Sequence, residues 1–237
     1  MNEIINEFTN KLGNKPRFIT QGRFEAMHKE DAVKIELLLA KRPLGSILLI
    51  VESIDGKTLY TLEERLNLLR GMGLTSEEIA VSPRGETAET EVTEEDTVSS
   101  EIRNLLGAGK IEKANSLLGR QFHIEGKIAH GQKIGRRIGF PTANISVPEG
   151  KILPAQGVYT TKIEFAGKTF AAVTNVGERP TVDDKTEITV ETHIPGFSGD
   201  IYGEPVLLRF CRFLRKTVKF ESIELLKEQI KKDIENI

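Results

Sequence analysis

The apolar positions of the first 83 residues change period several times. Phe18-Ile19-Thr20 reads as a short first strand, and Asp31–Lys41, rich in Leu and Lys, reads as a helix. Ser46–Val51 (Ser-Ile-Leu-Leu-Ile-Val) is an unbroken apolar run, as a parallel strand buried on both faces requires. Thr61 with Glu64 three residues later forms a capping-box start to an amphipathic helix through Leu69. Gly71 and Gly73 provide its stop. Ile79-Ala80-Val81 follows as the next strand. Strand, helix, strand, helix, strand predicts a small α/β layer on a parallel sheet.

Residues 84–97 break this texture. They are acidic and poor in large apolar groups, and so predict a solvated linker or loop that buries little surface. Residues 99–118 return to helix, with one apolar stripe at Ile102, Leu105 and Leu106. Gly107-Ala108-Gly109 interrupts it, and a second stripe follows at Ile111, Ala114, Leu117 and Leu118. From Phe122 the chain is mostly strands and turns. Gly157–Phe165, Lys168–Asn175, Glu187–Ile194 and Val206–Phe213 alternate with Gly, Asp and Pro clusters, and Ala166-Gly167 has the form of a tight hairpin. Such a series predicts a closed barrel or sandwich. Ser222 caps a last helix whose apolar positions Ile223, Leu226, Ile230 and Ile234 recur at helical spacing.

Charge and cysteine content narrow the function. Lys+Arg number 33 and Asp+Glu 35, a balance that argues against a general nucleic-acid footprint. The single cysteine, Cys211, excludes an intramolecular disulfide and fits a reducing compartment; its apolar surroundings mark it as core filling rather than a nucleophile. The N-terminal residues lack a basic segment followed by an apolar one, and no apolar run is long enough to span a membrane. A soluble cytoplasmic protein is expected.

The chemistry concentrates in residues 135–144, Gly-Arg-Arg-Ile-Gly-Phe-Pro-Thr-Ala-Asn. Glycines such as Gly131 and Gly135 let a backbone approach phosphate closely. Arg136, Arg137 and the nearby Lys133 supply donors and charge for phosphate oxygens, without deciding which of them makes the contact. Thr142 and Asn144 offer the hard oxygens that complete a Mg²⁺ shell otherwise filled by phosphates and water. Pro141 fixes its own φ and biases Phe140 toward extended backbone, which predicts both side chains displayed around one turn. The common P-loop pattern is absent, so a nucleotide bound here sits in another architecture. Taken by itself, the stretch reads first as a Gly/Pro-rich turn between strands.

The decapeptide resembles the signature of the riboflavin kinase family. Further blocks in the family's order extend the resemblance over nearly all of residues 119–237. They are Gly126–Gly131, Gly157-Val158-Tyr159, Thr174–Thr181, Val190-Glu191-Thr192-His193-Ile194, Gly199–Gly203, Phe213-Leu214-Arg215 and Gln229–Asp233. The resemblance implies a six-stranded barrel with the C-terminal helix packed against it. It implies transfer of the ATP γ-phosphate to the 5′-hydroxyl of riboflavin, giving FMN and ADP. Gly131, Lys133, Gly135, Arg136, Thr142 and Asn144 would bind ATP and its phosphates. Thr142 and Asn144 would also hold Mg²⁺, and Arg215 would lie in a loop near the flavin and the nucleotide. Glu191 would be the general base. Alternation along its strand puts it with Glu187, Thr189 and His193, opposite Ile188, Val190, Thr192 and Ile194. His193 takes no catalytic role.

Residues 1–118 resemble a shortened FMN adenylyltransferase module, a Rossmann-like α/β nucleotidyltransferase domain. The family's Gly-x-Phe-Asp-Gly-x-His-x-Gly-His turn corresponds to Gly22–Asp31. Gly22, Phe24 and His28 remain, but Ala26, Glu30 and Asp31 replace two glycines and a histidine. Carboxylates at a triphosphate site repel what it should bind. The later Ser-Ser-Thr-x-Ile-Arg block survives loosely as Val98–Arg103. The expectation is a degenerate front domain, residues 1–118, followed by a kinase barrel, residues 119–237. Two alternatives stay open. One is a bifunctional enzyme that still makes FAD; the other is a flavin-binding regulator acting through its N-terminal half.

Overall fold

The computed structural model describes residues 16, 18–22, 24–44, 47–52, 57–82, 94–131, 135, 138–180 and 186–237. The chain divides into two units. The first comprises Met1–Arg103, Leu117–Gly119 and Gly150–Ile152; the second comprises Asn104–Ser116, Arg120–Glu149 and Leu153–Ile237.

In the first unit, β1 (Phe18–Gly22), β2 (Ile47–Glu52) and β3 (Ile79–Ser82) form a parallel sheet in that order. The helices α1 (Lys29–Leu39) and α2 (Leu62–Gly71) connect them. The expected buried run is the central strand. Its Ile47, Leu49 and Val51 pack with Phe24, Met27, Ile35, Leu38 and Leu69 in one core. The Thr61 capping box is formed at both ends: Glu64 N–H donates to Thr61 Oγ1 at 3.3 Å and Thr61 N–H to Glu64 Oε2 at 2.8 Å. Glu64 also receives the Lys151 ammonium at 2.8 Å; the two side chains are 2% and 0% exposed. Lys151 Nζ lies 4.0 Å from the centroid of the Tyr60 ring, a buried cation–π contact.

Two helices, α3 (Glu94–Gly107) and α4 (Ile111–Leu118), follow. The first begins at Glu94, inside the acidic stretch assigned to a linker; residues 83–93 lie outside the described residues. An acidic stretch that cannot supply a core can still open a helix, because negative charge near a helix N-terminus complements the dipole.

The second unit contains a closed six-stranded antiparallel barrel in the order β4-β5-β8-β7-β6-β9. Its strands are β4 (His123–Ala129), β5 (Thr142–Ser146), β6 (Gly157–Phe165), β7 (Lys168–Pro180), β8 (Thr186–His193) and β9 (Pro205–Arg215). Ala166 and Gly167 both take positive φ, 47° and 71°, as a two-residue hairpin turn requires. Buried Ile124, Ile145, Ile163, Val176, Val190 and Leu208 contribute to the interior. Buried hydroxyls are satisfied in a ladder, Thr161 to Thr174 at 2.8 Å and Thr174 to Thr192 at 2.9 Å. Helix α5 (Ile223–Ile234), capped by Ser222, lies against β7. Burial pushes the Cys211 thiol up, keeping it neutral and unsuited to nucleophilic work.

Candidate functional site

Thr142 and Asn144 lie on a strand rather than on the turn expected for them. They are the first and third residues of β5, so their side chains leave the same face. Strand β8 runs beside β5 with Glu191 opposite Asn144, and β7 runs along the other edge of β8 with Asn175 opposite Glu191. Glu191 is therefore flanked by two asparagines. Thr142 Oγ1 reaches Glu191 Oε2 at 3.4 Å, longer than an ordinary hydroxyl hydrogen bond. Such contacts tighten when substrate arrives.

The two described glycines of the site crowd these ligands. A Cβ on Gly131 would overlap the Asn144 carboxamide, and one on Gly135 would overlap the Phe140 carbonyl and meet Thr142 Oγ1 at 3.3 Å. Gly135 O accepts hydrogen bonds from Ile138 N–H at 3.2 Å and Phe140 N–H at 2.8 Å. Lys133, Arg136 and Arg137 lie outside the described residues. His193 has a structural part. Its Nδ1 lies 2.8 Å from Pro141 O, and its ring meets Phe140 edge-on at 5.6 Å.

Two cavities of the second unit meet at Thr142, which lines both. The larger, about 390 Å³, has apolar walls from Val158, Val173, Phe220, Leu226 and Ile230 and polar groups from Glu191, Asn175 and Arg215. The smaller, about 270 Å³, lies between Pro141–Ala143 and the segment Phe197–Tyr202. Both approach or fall within the size range of small-ligand pockets. Arg215, at the end of β9, is held by the buried Asp233 of α5, with Nη2 to Oδ2 at 2.7 Å and Nε to Oδ1 at 3.0 Å. Asn175 and Asp233 both fall within the family-like blocks of the sequence, where neither had a role assigned to it.

Hard oxygens at Thr142 and Asn144 suit Mg²⁺, but two protein ligands are too few for a preformed cage. Among the described residues, no group of three or more His, Cys, Asp or Glu gathers to hold a metal. The donor set fits a cation delivered on phosphates.

In the first unit, the Gly22–Asp31 turn is engaged with its own surroundings. Glu25 holds the Arg103 guanidinium and accepts Leu59 N–H at 3.2 Å. His28 and Asp31 are 2% and 0% exposed; His28 N–H donates to Asp31 Oδ2 at 3.1 Å, with His28 Nε2 3.7 Å from the same oxygen. The Asp31 carboxylate thus serves the start of α1.

A closed barrel thus carries Thr142 and Asn144 on β5 beside Glu191 on β8, with Thr142 shared by the two pockets. The Flavokinase family model, described as riboflavin kinase, matches residues 118–237, half of the chain. The chain belongs to the riboflavin kinase family. It is 41% identical over 138 residues to a bifunctional riboflavin kinase/FMN adenylyltransferase of Haemophilus influenzae (strain ATCC 51907 / DSM 11121 / KW20 / Rd), covering 58% of this chain and 44% of that protein. It is 39% identical over 153 residues to the protein of the same name from Bacillus subtilis (strain 168), covering 63% and 48%. The chain spans about half the length of the curated relatives it matches. A crystal structure titled macrolide-efflux protein from Streptococcus pneumoniae shares the fold over 93% of both chains, at TM-score 0.74 and 22% identity. Among the described residues, no helix is long and apolar enough to cross a membrane.

Proposed function

We propose that this chain transfers the terminal phosphoryl group of ATP to the 5′-hydroxyl of riboflavin, releasing FMN and ADP. The observation that carries this reading is that Thr142 lines both cavities, with Glu191 of the larger one 3.4 Å from its hydroxyl. Phosphoryl transfer needs donor and acceptor brought together at one point and little else from the protein. The larger, mostly apolar cavity suits the flat flavin ring, and the smaller suits the nucleotide, whose phosphates would reach Thr142 and, on the larger cavity's wall, Gly135.

In this reading the riboflavin 5′-oxygen attacks the γ-phosphorus, the bond to the β–γ bridging oxygen breaks, and the hydroxyl proton passes to the Glu191 carboxylate. Thr142 and Asn144 hold Mg²⁺, which when bound neutralises charge on the phosphates. Gly131 and Gly135 admit the phosphates, with Lys133 and Arg136 as further phosphate ligands assigned from the sequence alone. Arg215 contacts the flavin. Residues 1–118 are read as a degenerate Rossmann-like nucleotidyltransferase domain and 119–237 as the kinase barrel. The single cysteine favours a cytoplasmic setting.

The names of the relatives favour a second reading, in which FMN is also adenylylated to FAD. The internal engagement of Glu25 with Arg103 and of Asp31 with His28 weighs against it. Incubation with riboflavin, ATP and Mg²⁺ followed by chromatography separates the two. FMN alone supports the kinase reading; FMN with FAD supports the bifunctional one, and no FMN refutes both.

A further inference from the structure

Asp233 is 4% exposed, on the C-terminal helix, and lines the larger cavity beside Arg215. It grips the guanidinium with both oxygens: Arg215 Nε lies 3.0 and 3.1 Å from Oδ1 and Oδ2, and Nη2 lies 2.7 Å from Oδ2. Gln229, one turn earlier, donates its amide to Asp233 Oδ1 at 2.9 Å and fixes the carboxylate in turn. Arg215 Nη1 donates to Lys216 O at 3.2 Å, and the guanidinium lies 5.8 Å from the Phe220 ring centroid.

A guanidinium has five N–H donors in a rigid plane. The described bonds occupy Nε, one donor of Nη2 and one of Nη1, leaving a donor on each terminal nitrogen at the cavity wall. A long side chain with its charge neutralised and its plane fixed loses little entropy when it binds a planar acceptor.

We propose that Asp233, braced by Gln229, is a positioning residue that sets the Arg215 guanidinium for the acceptor edge of the flavin. The clamp rests on the riboflavin kinase reading and deepens it. It couples the C-terminal helix to flavin affinity and leaves nucleotide affinity alone, because none of its members lines the smaller cavity.

The test measures riboflavin binding by the anisotropy of its own fluorescence, together with the KM values for riboflavin and ATP. Full-length wild type, Asp233→Asn, Asp233→Glu, Arg215→Ala and the double variant Arg215→Ala with Asp233→Asn are compared. Asp233→Asn should weaken riboflavin binding and raise its KM by about tenfold, as expected for losing a charge-assisted hydrogen-bond pair. The KM for ATP should hardly move. Asp233→Glu should recover part of the loss. In the Arg215→Ala background the second substitution should add almost nothing, since the residue it positions is gone. A merely structural Asp233 would add its full loss there and would raise both KM values together; either result overturns the proposal, as does wild-type riboflavin binding by Asp233→Asn. If Asp233→Asn does not fold, wild-type riboflavin affinity in Arg215→Ala or in Gln229→Ala overturns it equally. Riboflavin binding by wild type without FMN formation would refute the kinase reading while the binding data still decide the clamp. No riboflavin binding by wild type would overturn both.

Discussion

Replacing Gly131 by alanine asks whether Asn144 positions the nucleotide without altering Asn144 itself. A Cβ on Gly131 would overlap the Asn144 amide nitrogen and sit 2.6 Å from its Cγ and 3.0 Å from its Oδ1. Carbon atoms in contact lie about 3.5–4.0 Å apart, so the carboxamide must retreat by about 1 Å. The obstacle is the end of a side chain, which can move, and Gly131 is not among the glycines in the left-handed region. The barrel should therefore survive. Misplacing a positioning group by about 1 Å costs about 10²-fold in rate. Steady-state FMN formation at varied MgATP should show kcat/KM for ATP reduced by about that factor. Riboflavin affinity and the melting temperature should stay close to wild type. A folded Gly131→Ala protein with unchanged ATP kinetics would refute the reasoning, because Asn144 would then have moved without consequence.

Thr142→Ala should likewise weaken productive use of MgATP without unfolding the barrel, checked by KM for ATP and circular dichroism; unchanged ATP kinetics would return Thr142 to a purely structural role. Lys151→Met removes the buried ammonium that faces Glu64 and Tyr60 and should destabilise the first unit by about 3–5 kcal/mol. Adding Glu64→Gln should recover part of that loss in thermal melts, because an intact buried pair contributes far less than a broken one costs. Full-length protein given FMN, ATP and Mg²⁺ should yield no FAD by chromatography; FAD formation that disappears in His28→Ala would establish the bifunctional reading.

What the sequence disclosed was local. The capping box at Thr61 and Glu64 closes within three residues, so its residues alone specify it. The Ala166-Gly167 hairpin and the Ser222 cap are equally self-contained, and the central strand Ile47–Glu52 announces its burial by composition. The hidden part was tertiary. Gly177 and Pro180 are strand breakers, and the sequence pattern alone ends β7 at Asn175. The strand continues to Pro180 because β8 pairs with it along that length, Pro180 opposite Thr186. The same register brings Asn175 beside Glu191, a neighbour that alternation within one strand cannot reveal. Ile188 shares a strand face with the buried Val190 and Thr192 and is nonetheless 45% exposed, which alternation cannot foresee. Asp233 reads in sequence as one more charge on an amphipathic helix; only the end of β9 shows what it holds. The role proposed for Glu191 comes from its block Val190–Ile194, since its strand face alone marks it as no more than a polar residue.

The most direct test of Glu191 as the proton acceptor is the single-turnover rate of FMN formation by Glu191→Gln at saturating riboflavin and MgATP. The substitution preserves size and hydrogen-bonding reach and removes the base. The rate is expected to fall by about 10²–10⁴-fold while riboflavin still binds. Formation of FMN at the wild-type rate would contradict the assignment and remove Glu191 from the chemistry.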